Sequence, residues 1–199
     1  AVADRGQPVE NLTLLGATHT IATGNGHANV LTGNAGHNEL HGLEGNYTLT
    51  GGAGDDELRG GTGSDTYRFA RGDGQDTVQE DHHDETATDR LEFQLTGLGA
   101  VGFDQLWFSS HDGYGVTISV MGTNDSVTIV DAFRGASVET ITAADLGTSD
   151  PHDVRTLSAA GLSQLVDAMA MMAPPAGATG WGALSATERS QLQALGVWA

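Results

Sequence analysis

A nine-residue period governs this chain. Residues 24–68 divide without gaps into GNGHANVLT, GNAGHNELH, GLEGNYTLT, GGAGDDELR and GGTGSDTYR. A weaker copy, LGATHTIAT, precedes them at 15–23. RGDGQDTVQ follows at 71–79 after the insertion Phe69-Ala70, and a degenerate unit, DETATDRLE, ends the series at 84–92. The eighth position of each unit reads Ala22, Leu31, Leu40, Leu49, Leu58, Tyr67, Val78 and Leu91. An apolar period of nine is neither a helical stripe nor a simple strand alternation. It fits a turn followed by a short strand whose central side chain points inward. Two such units make one coil of a parallel solenoid, and their inward residues stack into two ladders. No unit buries its apolar residue alone, so the array is expected to fold cooperatively along its length.

The turns have their own chemistry. Glycine tolerates the positive φ and close backbone approach needed to aim successive carbonyls at one point. Calcium takes six to eight oxygen ligands and accepts carbonyls alongside carboxylates. The sixth position reads Thr20, Asn29, Asn38, Tyr47, Asp56, Asp65, Asp76 and Asp89, which places four Asp at the C-terminal end of the array. Glycine and Asp also punctuate ordinary turns. Two full units in tandem, in phase with a stacked Leu ladder, favour metal binding over that reading. For residues 24–41 the two readings stay balanced, because stacked Asn can hold a coil without metal.

GGAGDDELR and GGTGSDTYR match every defined position of GGxGxDxUx, with Tyr67 as the large apolar residue. The chain therefore resembles the RTX (repeats-in-toxin, haemolysin-type calcium-binding) family, whose nonapeptides form a calcium-binding β-roll. The resemblance implies ions held between turns two units apart, by carbonyls and the sixth-position Asp of each turn. On this chain it pairs Asp56 with Asp76, with carbonyls from Gly52, Gly54, Arg71 and Asp73. It pairs Asp65 with Asp89, with Gly61 and Gly63, although the far turn lacks glycine. A third pair is Asn38 with Asp56, with Asn34, Gly36, Gly51 and Ala53. Tyr47, opposite Asp65, offers no carboxylate, and that slot is expected to be weak or empty. The implied cofactor is Ca²⁺, several ions per chain.

Charge narrows the partners. With 26 acidic residues against 8 Arg and no Lys, the formal net charge is −18. Counterion release from nucleic acid needs clustered cations, and anionic lipid repels such a chain. The absence of Cys excludes disulfides and Cys-ligated zinc or iron–sulfur sites. No apolar run is long enough to span a membrane. The first residues do not form a signal peptide, and without an initiator Met the chain is expected to be a fragment or processed product.

After the repeats the period stops. Residues 104–108, 115–121 and 126–130 are β-rich runs parted by turns, expected to form an antiparallel cap over the last coil. Trp107, Phe108 and Phe133 are assigned to its core. The stretch FARGDGQDTVQED…DRLEF…DQLWF…VTISVMGTNDSVTIVDAF resembles the region that closes RTX arrays at the end of adenylate-cyclase-toxin-type secreted proteins. That likeness spans residues 24–172 and is strongest over 51–133. Leu162, Leu165, Val166, Met169 and Met172 share one helical face, with Ser158 as a cap. A Pro- and Gly-rich linker at 174–182 leads to a last short helix, where Ser185 and Glu188 form a capping box. The expected fold is thus all-β with a helical tail. Its parts are a lead-in strand at 1–14, the β-roll at 15–92, the β cap at 93–155, and helices with a type I secretion signal at 156–199.

The function expected is that of a calcium-binding module that folds outside the cell, helping the secretion and folding of a larger secreted toxin, adhesin or exoenzyme. Its partner is the type I secretion machinery, reached through the C-terminus, and it is expected to be monomeric and secreted or at the cell surface. An enzyme is disfavoured, because no GxSxG, HExxH or phosphate loop appears. A transition-metal site at His82-His83, flanked by Asp81 and Asp84, is a rival. So is an adhesive or ligand-binding role for the outer face, weakened by the mixed character of Thr32, His41, Thr50 and Arg59. His27, His37 and His41 read as turn or surface residues.

Overall fold

A computed structural model describes residues 11–80, 87–132, 138–144, 154–172 and 177–196. The lead-in and the eight repeats form nine short strands: β1 (Asn11–Thr13), β2 (Thr20–Thr23), β3 (Val30–Thr32), β4 (Asn38–Glu44), β5 (Thr48–Thr50), β6 (Glu57–Thr62), β7 (Thr66–Phe69), β8 (Gln75–Gln79) and β9 (Asp89–Phe93). Odd and even strands separate into two sheets, each built of parallel neighbours. This is the two-units-per-coil solenoid that the period implies.

The register sets the core. In one sheet Leu12, Leu31, Leu49, Tyr67 and Leu91 align across successive strands; in the other Ala22, Leu40, Leu58 and Val78 do so. Apart from the half-buried Leu12 at the first coil, these residues are fully enclosed. Burying each Leu contributes about 1.5–3 kcal/mol relative to exposure, and that contribution exists only when both neighbouring coils are in place.

The cap continues both ladders before it turns antiparallel. β10 (Leu106–His111), β11 (Gly115–Val120) and β12 (Ser126–Ile129) form an antiparallel meander, and β12 docks parallel on β8 with Ile129 opposite Val78. β13 (Val138–Ala144) docks parallel on β9 with Ile141 opposite Leu91, and β14 (Val154–Ser158) then pairs antiparallel with β13. Each sheet of the roll thus gains one parallel cap strand, with antiparallel pairing only beyond it. The sequence reading anticipated β10 to β12 but named neither β13 nor β14.

Trp107 and Phe108 are buried in the cap; Phe133 lies outside the described residues. Helix α1 (Ala159–Ala170) starts at Ser158, whose hydroxyl accepts the Gly161 N–H, and buries Leu162, Leu165, Val166 and Met169. Met172 is half-buried against the same core. The Trp181 indole N–H donates to the Leu106 carbonyl at 2.8 Å, and its ring meets Phe103 edge-on. Helix α2 (Ala186–Ala194) begins with the Ser185–Glu188 capping box. The tail therefore packs on the cap, and one apolar core runs from the roll through it.

Candidate metal centre

The sixth-position side chains form two ladders of their own, one along each edge where turns stack. Along the first, the Asn38 N–H donates to Asp56 Oδ1 at 2.7 Å, and the Asp56 N–H donates to Asp76 Oδ1 at 2.9 Å. Along the second, the Tyr47 N–H donates to Asp65 Oδ1 at 2.7 Å, and the Asp65 N–H to Asp89 Oδ1 at 2.8 Å. The pairs Asp56–Asp76, Asp65–Asp89 and Asn38–Asp56 are thus brought together. One carboxylate oxygen of each Asp holds the previous turn, and in Asp56 and Asp65 the other makes no hydrogen bond.

That second oxygen lies inside its own turn. Asp56 Oδ2 and Asp65 Oδ2 are buried with no hydrogen-bond partner. A Cβ on Gly51 would sit 2.2 Å from the first, and a Cβ on Gly60 would sit 2.1 Å from the second, so only glycine fits at the opening position. The second and fourth positions take the left-handed region: Gly52 and Gly54 at φ 94° and 127°, Gly61 and Gly63 at 98° and 117°, Gly72 and Gly74 at 95° and 105°. These are turns that glycine alone adopts without strain. Asp73 joins its turn differently, its Oδ2 accepting the Ala70 N–H and its carbonyl the Gly54 N–H.

Burial governs the electrostatics. It pushes Asp56 up to about 6, Asp65 to about 7 and Asp76 to about 8; the backbone N–H each accepts offsets this in part, and nearby carboxylates add to it. Burial also raises Asp73 to about 6, with the Asp125 charge adding to the rise. His37 beside Asp56 offsets the rise there in part, and a carboxylate out of water keeps its charge only when paired. The donor set is all oxygen and highly acidic, which suits a hard divalent cation such as Ca²⁺.

Residues 23–46 and 48–78 match the RTX calcium-binding nonapeptide repeat in four copies. The roll is an RTX repeat array. The chain is also similar to the solution structure of the AlgE6R3 subunit from the Azotobacter vinelandii mannuronan C5-epimerase. The identity is 26%, covering 68% of this chain and 82% of that one, with a TM-score of 0.46. The RTX repeat is a calcium-binding unit, and this segment is a calcium-binding module.

Not every RTX turn is built alike. Neither Asn34 nor Gly36 takes a positive φ. Instead Asn38 Oδ1 accepts the Asn34 N–H, Asn34 Oδ1 accepts the Gly36 N–H, and the Asn38 amide donates to Asn34 Oδ1. The interior of that turn is filled by its own amides. The next turn is intermediate: Leu43 and Gly45 adopt φ 90° and 115°, yet Tyr47 sends its hydroxyl to the Asn25 carbonyl.

Two acids escaped the sequence reading. Glu139 on β13 accepts the Asp89 N–H, taking the place of the next Asp in the second ladder. Glu80, directly after β8, is buried, and both of its oxygens lack partners. Burial, followed by the Asp89 charge, pushes Glu80 up to about 9. The Tyr67 hydroxyl, which accepts the Gly60 N–H, faces Glu80 and offsets part of that rise. Asp65, Glu80 and Asp89 each bring one oxygen within 4.8 Å of the others, the one such group of three among the described residues. Residues 81–84, the proposed transition-metal rival, lie outside the described residues. His37 stacks on His19 and His41 faces Glu39 at 3.6 Å, both on the surface of the roll.

Proposed function

We propose that this RTX module is a calcium-driven folding unit, with ions held at Asp56–Asp76 and Asp65–Asp89. The turn carbonyls of Gly52, Gly54, Arg71 and Asp73 serve the first site, and those of Gly61 and Gly63 the second. The Asn38–Asp56 slot, with Asn34, Gly36, Gly51 and Ala53, is closed by amides and contributes least. The observation that carries this reading is the pair of buried, unpartnered oxygens, Asp56 Oδ2 and Asp65 Oδ2, each inside a glycine turn. Bound Ca²⁺ supplies the positive charge and the multiple oxygen coordination that these turns lack.

When a site is absent from the unfolded chain, binding free energy becomes folding free energy. Extracellular calcium modules bind at about 10⁻⁴–10⁻³ M. A chain of net charge −18 with that affinity stays unfolded and export-competent inside a cell. It folds on reaching millimolar Ca²⁺ outside, where the roll and cap support attached domains of a larger secreted protein. The C-terminal region addresses the chain to a type I secretion channel, as the family resemblance implies. No helix among the described residues is long and apolar enough to cross a membrane. Far-UV circular dichroism in EGTA and in millimolar Ca²⁺ tests the coupling. A coil spectrum converting to a β spectrum is expected, and identical folded spectra in both contradict the reading.

A further inference from the structure

The last unit of the second Asp ladder departs from the repeat in sequence. DETATD holds no glycine, so it lacks the residues that take the left-handed region at Gly61 and Gly63. What stands at that point instead is Glu80, which enters from the end of β8, in the opposite sheet. Strand alternation explains its direction: Val78 points inward, Gln79 outward, and position 80 inward again. Glu80 is 5% exposed, Asp65 1% and Asp89 4%, and one carboxylate oxygen from each lies within 4.8 Å of the other two.

We propose that Glu80 is a third carboxylate ligand of the Ca²⁺ held by Asp65 and Asp89, making a three-carboxylate site at the junction of roll and cap. This rests on the calcium reading above and adds to it a ligand from outside the nonapeptide frame. Three buried oxygens there have no partner: Asp65 Oδ2 and both of Glu80. The Tyr67 hydroxyl carries one proton and can satisfy only one of them. A divalent cation with a coordination number of six to eight satisfies all of them together. Mg²⁺ fits less well, since it demands near-ideal octahedral geometry and keeps its waters. Softer metals lack nitrogen or sulfur ligands in this cluster.

The placement has a structural consequence. The site joins the β7 turn, the end of β8 and the start of β9, and Glu139 of β13 holds the Asp89 N–H from the cap side. Occupancy ties both sheets of the roll to the cap at a single point. Affinity in such sites rises with the number of charged ligands, so this ion is the tightest of the array.

The test is Ca²⁺ titration of the full chain by calorimetry with a competing chelator, for wild type, E80Q and D56N. E80Q is the neutral isostere of a protonated Glu80. It is expected to weaken the tightest ion about tenfold or more, or to remove it, while D56N removes a different ion and leaves the tightest in place. Wild-type stoichiometry and affinity in E80Q overturn the proposal and leave the repeat sites standing. Absence of any binding to wild type overturns both. If E80Q does not fold even in saturating Ca²⁺, E80D decides the matter. It keeps the charge with one methylene less reach, and is expected to keep the ion count while weakening one ion; unchanged affinity for every ion overturns the proposal.

Discussion

The turn at residues 33–38 and the turns at 51–56 and 60–65 occupy equivalent places in the roll, yet they solve the same problem by different means. In the first, Asn34 and Asn38 close the interior with their own amides, and no backbone enters the left-handed region. In the others, glycines curl the backbone around a buried carboxylate oxygen that nothing in the protein satisfies. The Asn turn is self-sufficient, while the Asp turns are complete only with a cation. The Leu ladders beneath both are the same, so the difference lies wholly in the turns. One array therefore has turns completed by metal against the cap and, added onto them, turns that close with their own amides, and folding should spread from the cap toward the N-terminus.

The largest effect that sharpens this contrast is pH, because several groups act together. Asp56, Asp65, Asp76 and Glu80 titrate at about 6, 7, 8 and 9 in the folded, metal-free chain, against about 4 when unfolded. Each binds its proton more tightly folded than unfolded. Their contribution to the metal-free fold is full below about pH 4 and is lost as pH rises through 6 to 9. Metal-free chain is expected to gain β structure between pH 8 and pH 5, read by circular dichroism in EGTA. Ca²⁺ affinity should fall over the same range as protons compete, with protons released on binding. A metal-free chain equally folded at pH 5 and pH 8 breaks the comparison.

Substitutions follow in order of size. D76N removes a charged ligand from the first ladder and is expected to raise the Ca²⁺ concentration for half-folding by roughly a hundredfold; N38A, in the Asn turn, should leave that midpoint within about threefold. G60A drives a methyl into Asp65 Oδ2 and the Tyr67 hydroxyl, and should cost about 3 kcal/mol in Ca²⁺-bound stability, read by urea denaturation. G72A meets no atom within 4 Å but sits at φ 95°, costing about 1–2 kcal/mol. G26A meets neither constraint and should stay within about 0.5 kcal/mol. A cost for G26A as large as for G60A would contradict the open space at that third position.

Much of this is legible in the sequence. The nonapeptide period gave the two ladders, because a nine-residue repeat with one apolar position leaves few ways to bury it. The sixth-position Asp residues were legible for the same reason. The third strand of the even-sheet meander was legible as a strand but not as the parallel neighbour of β8, since pairing Ile129 with Val78 is a long-range choice with no local signal. The runs of β13 and β14, VETITAA and VRTLS, are flanked by turn-forming residue types but carry few large apolar residues to mark them as strands. Glu80 stands one position beyond its nine-residue unit, outside the frame that marks the other acids. The signal was present all the same: two residues beyond an inward Val78, an acid must be buried, and a buried acid needs a partner. Glu139 carried no such signal, because its role depends on β13 pairing with β9.

Hydrogen exchange followed by mass spectrometry across a Ca²⁺ titration tests the division of the roll most directly. In EGTA at pH 8 all repeat peptides should exchange freely. On adding Ca²⁺, protection should appear first in peptides covering residues 51–79, 87–93 and the cap, and reach residues 24–41 only at higher occupancy. Protection of residues 24–41 before residues 51–79, or protection of residues 51–79 in EGTA, would contradict the account.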